Sequence, residues 1–170
     1  NDLIIRGAPN GPDVVPMDVL FVGAGPAGLA GAIELAKLIK DDPELKDLQI
    51  GVLEKAASLG GHSLSGAVVN PAGFKELFPE MNESEFPFRR KVGAEKVMML
   101  TESGSIPIPT PPTMKNHGNY IISLSQVCRW LATKAEELGV QIFSGFTAVD
   151  VVTDDAGRVT GIKTGDMGVA

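Results

Sequence analysis

Cysteine and histidine are nearly absent from this sequence of 170 residues, which contains one cysteine and two histidines. A disulfide needs two thiols, so Cys128 alone excludes an intrachain disulfide, and it equally excludes a four-cysteine zinc or iron–sulfur site. His62 and His117 lie far apart in the sequence and show no metal-ligand spacing, and no Ser/His/Asp or Cys/His arrangement surrounds them. We therefore expect no metal ligands and no catalytic acid, base or nucleophile in this chain.

Positive charge is also scarce, because 15 lysine and arginine residues stand against 21 aspartate and glutamate residues, for a net charge of −6. Nucleic-acid binding needs clustered cations to neutralise phosphates, so nucleic acid is not expected as a partner. No apolar run approaches the roughly 18–20 residues of a membrane-spanning helix. With 44% hydrophobic and 21% charged residues, the composition is that of a globular protein with a buried core.

Glycine and proline, in contrast, are abundant, with 20 and 12 residues. Gly23-Ala24-Gly25-Pro26-Ala27-Gly28 matches the G-x-G-x-x-G pattern of dinucleotide-binding proteins. The apolar run before it, at 17–22, predicts a strand buried on both faces, as in a parallel sheet. Helical periodicity follows over 26–40, and 48–54 predicts a second strand. Together these elements predict a βαβ dinucleotide-binding unit over 17–55.

Each part of this motif has a mechanical role. Gly23 permits the tight turn, Gly25 lets the backbone approach a pyrophosphate, and Gly28 lets the helix pack on the strand. The N-terminus of the helix directs N–H groups and its positive dipole end at the phosphates. Glu54, at the end of the second strand, is expected to accept hydrogen bonds from ribose hydroxyls and to repel a 2′-phosphate, which disfavours NADP. The alternative is a glycine-rich turn with an incidental surface glutamate.

The residues after Glu54 bear on which dinucleotide is bound. An NAD-binding domain would usually continue with another helix and a third parallel strand, whereas Lys55 here leads into a second loop rich in glycine and serine. Such a loop suits a cofactor longer than a pair of nucleotides. The candidate cofactor-binding residues in it are His62, Ser63, Leu64, Ser65 and Gly66. The alternative is an ordinary polar loop, since glycine and serine are common loop residues.

Residues 57–120 have weaker periodicity, and we interpret them as an inserted, loop-rich and β-rich segment. Within it we expect a short helix over 72–77 and a strand over 96–101. The stretch IPIPTPPTMKNHG, which follows this strand, is rich in proline. We interpret this stretch as having a rigid backbone of the polyproline II type.

The last third of the chain returns to regular structure. A second amphipathic helix is predicted over 123–138, with Ser123 able to cap it and Gly139 ending it. Three strands follow it, at 140–143, 148–153 and 158–164. The turn Asp154-Asp155-Ala156-Gly157 joins the last two as a hairpin. The chain is thus predicted to be α/β, a Rossmann-like dinucleotide-binding domain with an inserted β-rich segment and a β-hairpin.

Several blocks of the sequence resemble the N-terminal part of electron-transfer flavoprotein–ubiquinone oxidoreductase, and the similarity extends from Val19 to Gly168. The blocks are VGAGPAG, LEKAASLGGHSLSGAVVNPAGFKELFP, IPIPTPPTMKNHGNYIISL, ELGVQIFSGFTAVDVV and GRVTGIKTGDMG. Those around His62–Gly66 and Asn116–Tyr120 are specific to that family. The G-x-G-x-x-G turn is shared with related flavoproteins, including geranylgeranyl reductases and aromatic hydroxylases.

The resemblance implies FAD as the cofactor and an oxidoreductase that passes electrons from reduced electron-transfer flavoprotein through FAD to ubiquinone. Catalysis would then belong to the flavin. The resemblance also implies a peripheral membrane location, at the cytoplasmic face of a bacterial inner membrane or the matrix face of the mitochondrial inner membrane. The alternatives are another flavoprotein of the same superfamily, of the geranylgeranyl reductase or hydroxylase type, and a non-catalytic nucleotide-binding module.

Members of this family are much longer than the present chain. The resemblance places their quinone site and their cysteine-ligated 4Fe–4S cluster in downstream parts, and Cys128 alone cannot ligate a cluster. The chain also begins at Asn1 without methionine and without a signal segment. We therefore expect residues 1–170 to be the N-terminal part of an FAD-binding domain, with the iron–sulfur and quinone parts absent.

Four further features of the sequence are interpreted beside the resemblance. Gln126, one turn into the second helix, is a candidate to reach the pyrophosphate. Val151 lies on a strand where related flavoproteins bind adenine through backbone atoms, although a core strand valine is the alternative. Ile106–Met114 is a candidate for shallow membrane contact, with an ordinary edge loop as the alternative. Related sequences often carry arginine where Ser123 stands, and Ser123 cannot supply that positive charge.

Overall fold

A computed structural model describes residues 4–6 and 14–165 of the chain, for residues 4–6 the backbone only. The chain divides into two compact units. Unit 1 comprises the residues up to Ser63 together with those from Val127 onward, and unit 2 runs from Leu64 to Gln126. Unit 2 shares residues 64–120 with the segment interpreted above as an insertion, and that interpretation stays a prediction.

Unit 1 is built on a parallel sheet of three strands in the order β2-β3-β9. The strands of this sheet are β2 (Val19–Val22), β3 (Ile50–Glu54) and β9 (Gln141–Ser144). The helices that accompany them are α1 (Pro26–Ile39) and α3 (Leu124–Glu137). The strands are short, but the helices bury a continuous apolar face. On α1 the buried residues are Leu29, Ala32, Ile33, Ala36 and Ile39. The spacing of these residues is that of one face of a helix, as the sequence predicted.

The prediction that the first strand is buried on both faces is wrong for this chain. Among the described strands β3 is the middle one and its first four residues are buried, whereas β2 lies at the edge of this sheet and is only half-buried. Val22, its last residue, is 58% exposed. An apolar run of this length is compatible with a central and with an edge strand, and only the pairing order distinguishes the two positions.

α3, the second amphipathic helix of the prediction, ends as the sequence predicted. Gly139 adopts a φ of +85°, its N–H donates to Glu136 at 3.0 Å, and the N–H of Val140 donates to Ala135 at 3.1 Å. This pair of bonds is the Schellman arrangement, in which glycine tolerates the left-handed conformation that ends a helix. At the other end, Ser123 is the last residue of a strand, and its hydroxyl lies 3.1 Å from the hydroxyl of Ser125.

A second sheet of unit 1 has the order β1-β10-β11, from β1 (Ile4–Arg6), β10 (Ala148–Thr153) and β11 (Val159–Thr164). β10 and β11 form the predicted hairpin. Gly157 has a φ of +78°, and Asp154 accepts hydrogen bonds from the N–H groups of Ala156 at 3.0 Å and Arg158 at 2.9 Å. The Arg158 guanidinium adds a 2.7 Å ion pair with the same carboxylate.

Unit 2 contains an antiparallel sheet in the order β4-β8-β5 and a separate two-stranded hairpin, β6-β7. Its elements are β4 (Ser65–Val69), α2 (Ala72–Leu77), β5 (Phe88–Lys91), β6 (Val97–Leu100), β7 (Ser105–Ile108) and β8 (Tyr120–Ser123). The structure differs from the prediction at the proline-rich stretch, which begins inside β7. Pro107 pairs with Met98 there. β7 is an edge strand, and such a strand tolerates a residue that lacks an N–H.

Candidate dinucleotide-binding site

The glycine turn between β2 and α1 has the geometry that the motif predicted. Gly23 adopts a φ of +105°, a conformation that other residues rarely take, and its N–H donates to the Leu53 carbonyl at 2.7 Å. Gly25 is the N-cap residue of α1, and Pro26 occupies its first turn. Among the described residues no side chain caps this helix end, and its first turn contains no acidic residue. The first N–H groups of α1 therefore offer an anion-binding helix N-terminus.

The three motif glycines differ in what a side chain would meet. A Cβ at Gly28 would lie 2.1 Å from the carbonyl oxygen of Gly23, so the turn and the helix can approach this closely only without a side chain. A Cβ at Gly23 or Gly25 would meet no protein atom within 4 Å. The absence of a side chain at Gly25 is thus not required by the packing of the described residues. It leaves open space beside the helix N-terminus, where a pyrophosphate would lie.

Glu54 lies at the end of β3, directly beside this turn. Its Oε2 accepts a hydrogen bond from the backbone N–H of Ala24 at 2.9 Å, and its Oε1 accepts one from Ala56 at 2.8 Å. Ala24 and Ala56 are both buried. A carboxylate has roughly four acceptor positions, so two stay available for ribose hydroxyls. Glu54 is therefore a structural clamp between two loops, a role that sequence reasoning did not predict.

The loop after Glu54 is held from two sides. The carbonyl of Ala56 accepts a hydrogen bond at 2.9 Å from the N–H of Gly145, just after β9. From α3, the guanidinium of Arg129 donates to the carbonyl of Leu59 at 3.4 Å. The sequence analysis did not single out Arg129 for this role, because 70 positions separate it from Leu59.

The candidate residues of this loop differ in their surroundings. Lys55 and His62 are exposed. Ser63 is half-buried, and its hydroxyl lies 3.6 Å from the sulfur of Cys128, which is fully buried on α3. The loop thus presents side chains to solvent while its backbone is held in place.

The other candidates belong to unit 2 or to the second sheet of unit 1. Leu64, Ser65 and Gly66 begin unit 2 and are exposed, and Gly66 has a φ of +84° in a bulged part of β4. Gln126 is exposed and accepts a hydrogen bond from the Arg89 guanidinium at 3.2 Å. Val151 lies in β10, the middle strand of the second sheet of unit 1, and pairs with Ile4 and Ile162. Glu54 and the glycine turn are the predicted parts of the site that the structure connects, through the hydrogen bond from the backbone N–H of Ala24 to Glu54.

Two other kinds of feature are absent from the described part of the chain. No group of three or more His, Cys, Asp or Glu side chains there is arranged to hold a metal ion. No helix there is long and apolar enough to cross a membrane.

Comparison with known proteins places this site in a wider group. A family profile described as an NAD(P)-binding Rossmann-like domain matches residues 22–78, which include the glycine turn and Glu54. Solved structures of the same fold show low sequence identity. A geranylgeranyl bacteriochlorophyll reductase-like protein from Thermoplasma acidophilum matches with a TM-score of 0.60 and 21% identity, over 95% of this chain and 35% of that chain. CtdE in complex with FAD matches with a TM-score of 0.58 and 18% identity, over 88% and 35%. The predicted Rossmann-like α/β fold is confirmed.

Sequence relatives are much closer. The mitochondrial electron transfer flavoprotein-ubiquinone oxidoreductase of Oryza sativa subsp. japonica is 44% identical over 165 residues, or 97% of this chain and 28% of that protein. The corresponding proteins of Homo sapiens (44% identity) and Dictyostelium discoideum (46% identity) match over 89% and 90% of this chain and 25% of their own length. The predicted resemblance is confirmed. The chain spans about a quarter of the length of these curated relatives.

Proposed function

We propose that this chain is the FAD-binding part of an oxidoreductase of the electron transfer flavoprotein–ubiquinone oxidoreductase type. The observation that supports it most is the identity of 44–46% over 89–97% of the chain with relatives that carry this name. Fold-level similarity is weaker support, because the same architecture also occurs in the reductase-like protein and in CtdE. An isoprenoid reductase or a hydroxylase is therefore the alternative of the same fold.

The site fits the cofactor at three points. The open space at Gly25 and the uncapped N-terminus of α1 suit a pyrophosphate. The free acceptor positions of Glu54 suit the ribose of the adenosine half, and its charge disfavours a 2′-phosphate. The other residues of the same turn would also contact the cofactor; they are Gly23, Ala24, Pro26, Ala27 and Gly28. When bound, FAD supplies the redox chemistry, so this chain needs no acid or base of its own.

Contacts from the remaining candidates form a second part of the proposal. Lys55, His62 and Ser63, with Leu64, Ser65 and Gly66 beyond them, would line the flavin half of the cofactor. Gln126 would reach the pyrophosphate, and Val151 would approach the adenine. In unit 1 the proposed contacts are supported by the loop after Glu54. Hydrogen bonds hold its backbone in place, and its exposed His62 is available to a ligand.

The electron route is the next step of the proposal. In the protein to which this chain belongs, reduced electron-transfer flavoprotein would donate electrons to FAD, and ubiquinone would accept them. A 4Fe–4S cluster would lie in sequence beyond this chain. The location would be peripheral, on the inner mitochondrial membrane facing the matrix or on a bacterial inner membrane facing the cytoplasm. The names of the relatives, which include the word mitochondrial, support the first of these.

The hairpin β6-β7 supports a membrane contact within Ile106–Met114. Its two strands expose an unusual number of large apolar side chains for so small an element. The exposed residues are Met98, Met99, Leu100, Ile106 and Ile108. Glu95 closes the base of the hairpin, because both its carboxylate oxygens accept the N–H of Asn116, at 2.8 and 2.9 Å. A strand pair whose strands expose apolar side chains suits shallow insertion into the headgroup region.

The proposal is tested by reconstitution and turnover. We expect the purified protein to bind FAD stoichiometrically, to show a flavin absorption spectrum, and to reduce a soluble ubiquinone analogue only when reduced electron-transfer flavoprotein is supplied. Flavin binding without donor-dependent quinone reduction would retain the cofactor assignment and overturn the electron route. A protein that binds NAD rather than FAD would overturn both.

A further inference from the structure

Unit 2 carries a second concave surface, formed by residues other than those assigned to the cofactor. A cavity of about 360 Å³ opens beside β5 and β8. We call it the basic groove and define it by three aromatic residues, Phe86, Phe88 and Tyr120, and three cations, Arg89, Arg90 and Lys91. A volume of this size is within the range of functional ligand sites.

The charge of the basic groove contrasts with that of the chain. In a sequence of net charge −6, residues 89–91 are the only three consecutive cations. The one carboxylate in the lining is Glu83, whose charge is already met by Lys75 at 3.3 Å. A hydrogen bond from Tyr120, followed by Lys75, lowers the pKa of Glu83 below its usual value, so it stays ionised and paired at neutral pH. The groove therefore presents unbalanced positive charge.

The aromatic floor is preformed. Phe88 stacks on Tyr120 with 4.6 Å between ring centroids, and Phe74 packs edge-on against Phe88 at 5.0 Å. The Lys91 ammonium lies over the Tyr120 ring, 5.8 Å from its centroid. Tyrosine, phenylalanine and arginine are the residues enriched in the anchor regions of protein–protein interfaces. A site for a small anion would need only the cations, whereas this one also offers an ordered apolar surface.

The strand that carries the cations is an edge strand. Within the described residues β5 pairs with β8 alone, in the order β4-β8-β5. The pairing is shifted between Phe88 and Arg90, which leaves Arg89 as the extra residue of a bulge. Arg90 and Lys91 are exposed. A bulge and cations protect such an edge from pairing with strands in general. An acidic chain lying beside it would instead pair its carboxylates with these cations.

We propose that the basic groove binds an extended, acidic segment of a partner protein, with its carboxylates paired to Arg90 and Lys91 and its apolar side chains on the aromatic floor. The proposal does not depend on the electron route. Arg89 of the groove donates a hydrogen bond to Gln126, a residue assigned above to the cofactor, so the two proposed sites are neighbours within unit 2 at this point. Its charge makes association faster and strongly dependent on ionic strength.

The test uses a fluorescein-labelled octapeptide in which glutamate and valine alternate, and the same peptide with lysine in place of glutamate. Fluorescence anisotropy measures binding to the purified protein at 25 mM and 200 mM NaCl. We expect the acidic peptide to bind, the lysine peptide not to bind, and the affinity to fall at least fivefold at the higher salt concentration. Arg90→Glu should weaken the acidic peptide at least tenfold. Arg90→Ala, which cannot introduce repulsion, should weaken it in the same direction.

The matched control is Lys96→Glu, an equal change of charge at an exposed residue of the same unit outside the basic groove. It should leave the affinity within twofold of the wild type. An equal loss in Lys96→Glu, or equal binding of both peptides, would show unspecific attraction and overturn the proposal. Competition by free glutamate at the concentration of the peptide would make this a small-anion site and also overturn it. Hydrogen exchange without peptide gives a further check. If the backbone amides of β5 exchange as slowly as those of β8, another segment already covers the edge, and the proposal is overturned.

Discussion

The carboxylate of Glu54 accepts a hydrogen bond at 2.9 Å from the backbone N–H of Ala24, 30 positions earlier in the sequence. Its other oxygen accepts one from Ala56 at 2.8 Å. One side chain at the end of β3 therefore connects the glycine turn before α1 with the loop after β3. This arrangement orders the two loops before any ligand is present, so Glu54 contributes to the fold as well as to the proposed ribose contact.

Replacing Glu54 is expected to change both properties. Glu54→Gln retains one acceptor oxygen and places an NH₂ group against a backbone N–H, so one of the two clamp bonds is lost. Hydrogen bonds to charged groups contribute about 1.5–3 kcal/mol, and urea denaturation should show a loss of that order in the free energy of unfolding. Titration with FAD should show weaker binding. Glu34→Gln, at an exposed position of α1, should change neither; full FAD affinity in E54Q would place the ribose elsewhere.

Gly28 should be important for the stability of the fold. In Gly28→Ala the new Cβ would lie 2.1 Å from the Gly23 carbonyl oxygen, so the helix or the turn must move. Overpacking of this kind costs about 1–3 kcal/mol or more. Thermal unfolding should show a clearly lowered midpoint, in the presence and in the absence of FAD. A midpoint equal to that of the wild type would show that α1 can shift away from the turn without cost.

Gly25 should separate binding from stability. The Cβ of Gly25→Ala meets no protein atom within 4 Å, and the φ of −77° is ordinary for alanine. The midpoint of thermal unfolding without ligand should therefore be close to that of the wild type. The affinity for FAD should fall at least tenfold, because the methyl group enters the space proposed for the pyrophosphate. Unchanged FAD binding in G25A would move the pyrophosphate away from this residue.

Asp154 should make the β10-β11 hairpin sensitive to acid. The backbone N–H of Arg158, and then its guanidinium, lower the pKa of Asp154 below its usual value of 3.8. A lowered pKa in the folded state means that the stabilising charge is present above the usual pKa and is lost as pH falls through the folded-state pKa. Asp154→Asn should lower the unfolding midpoint at pH 7, and this difference should shrink below about pH 4. Asp155→Asn, at the next, exposed position, should match the wild type at both pH values.

The exposed hairpin should govern any contact with lipid. Leu100 is 79% exposed at the end of β6, so Leu100→Glu should fold normally. Burial of an apolar side chain contributes about 1.5–3 kcal/mol, and co-sedimentation with phosphatidylcholine vesicles should fall about tenfold or more in this variant. Leu38→Glu, at an equally exposed position of α1, is the control and should sediment like the wild type. Equal sedimentation of all three proteins would contradict the membrane contact.

The agreement between sequence and structure is greatest where neighbouring residues act on each other. The helix predicted over 26–40 is observed at Pro26–Ile39, and the hairpin strand predicted over 148–153 is observed with the same bounds. Gly139 ends its helix by bonds that reach back only a few residues. A turn, a cap and an amphipathic face depend on short spacings, and these can be read along the chain.

The contacts that hold the candidate site depend instead on residues far apart in sequence. The clamp of Glu54 on Ala24 spans 30 positions, the contact of Ser63 with Cys128 spans 65, and that of Arg129 with Leu59 spans 70. No local pattern predicts which of many polar side chains meet once the chain is packed. The edge position of β2 has the same origin, since burial depends on what pairs with a strand.

The amino-acid order was therefore sufficient to indicate a Rossmann-like fold, the residues of its glycine turn and the family that the chain resembles, because these follow from short spacings and from shared sequence blocks. Tertiary structure alone decided that Glu54 is a clamp, that the proline-rich stretch begins as a strand, and that the cations at 89–91 face a preformed aromatic groove. Each of these depends on distant segments that come together only when the hydrophobic core has formed, and on hydrogen bonds whose partners the linear sequence does not specify.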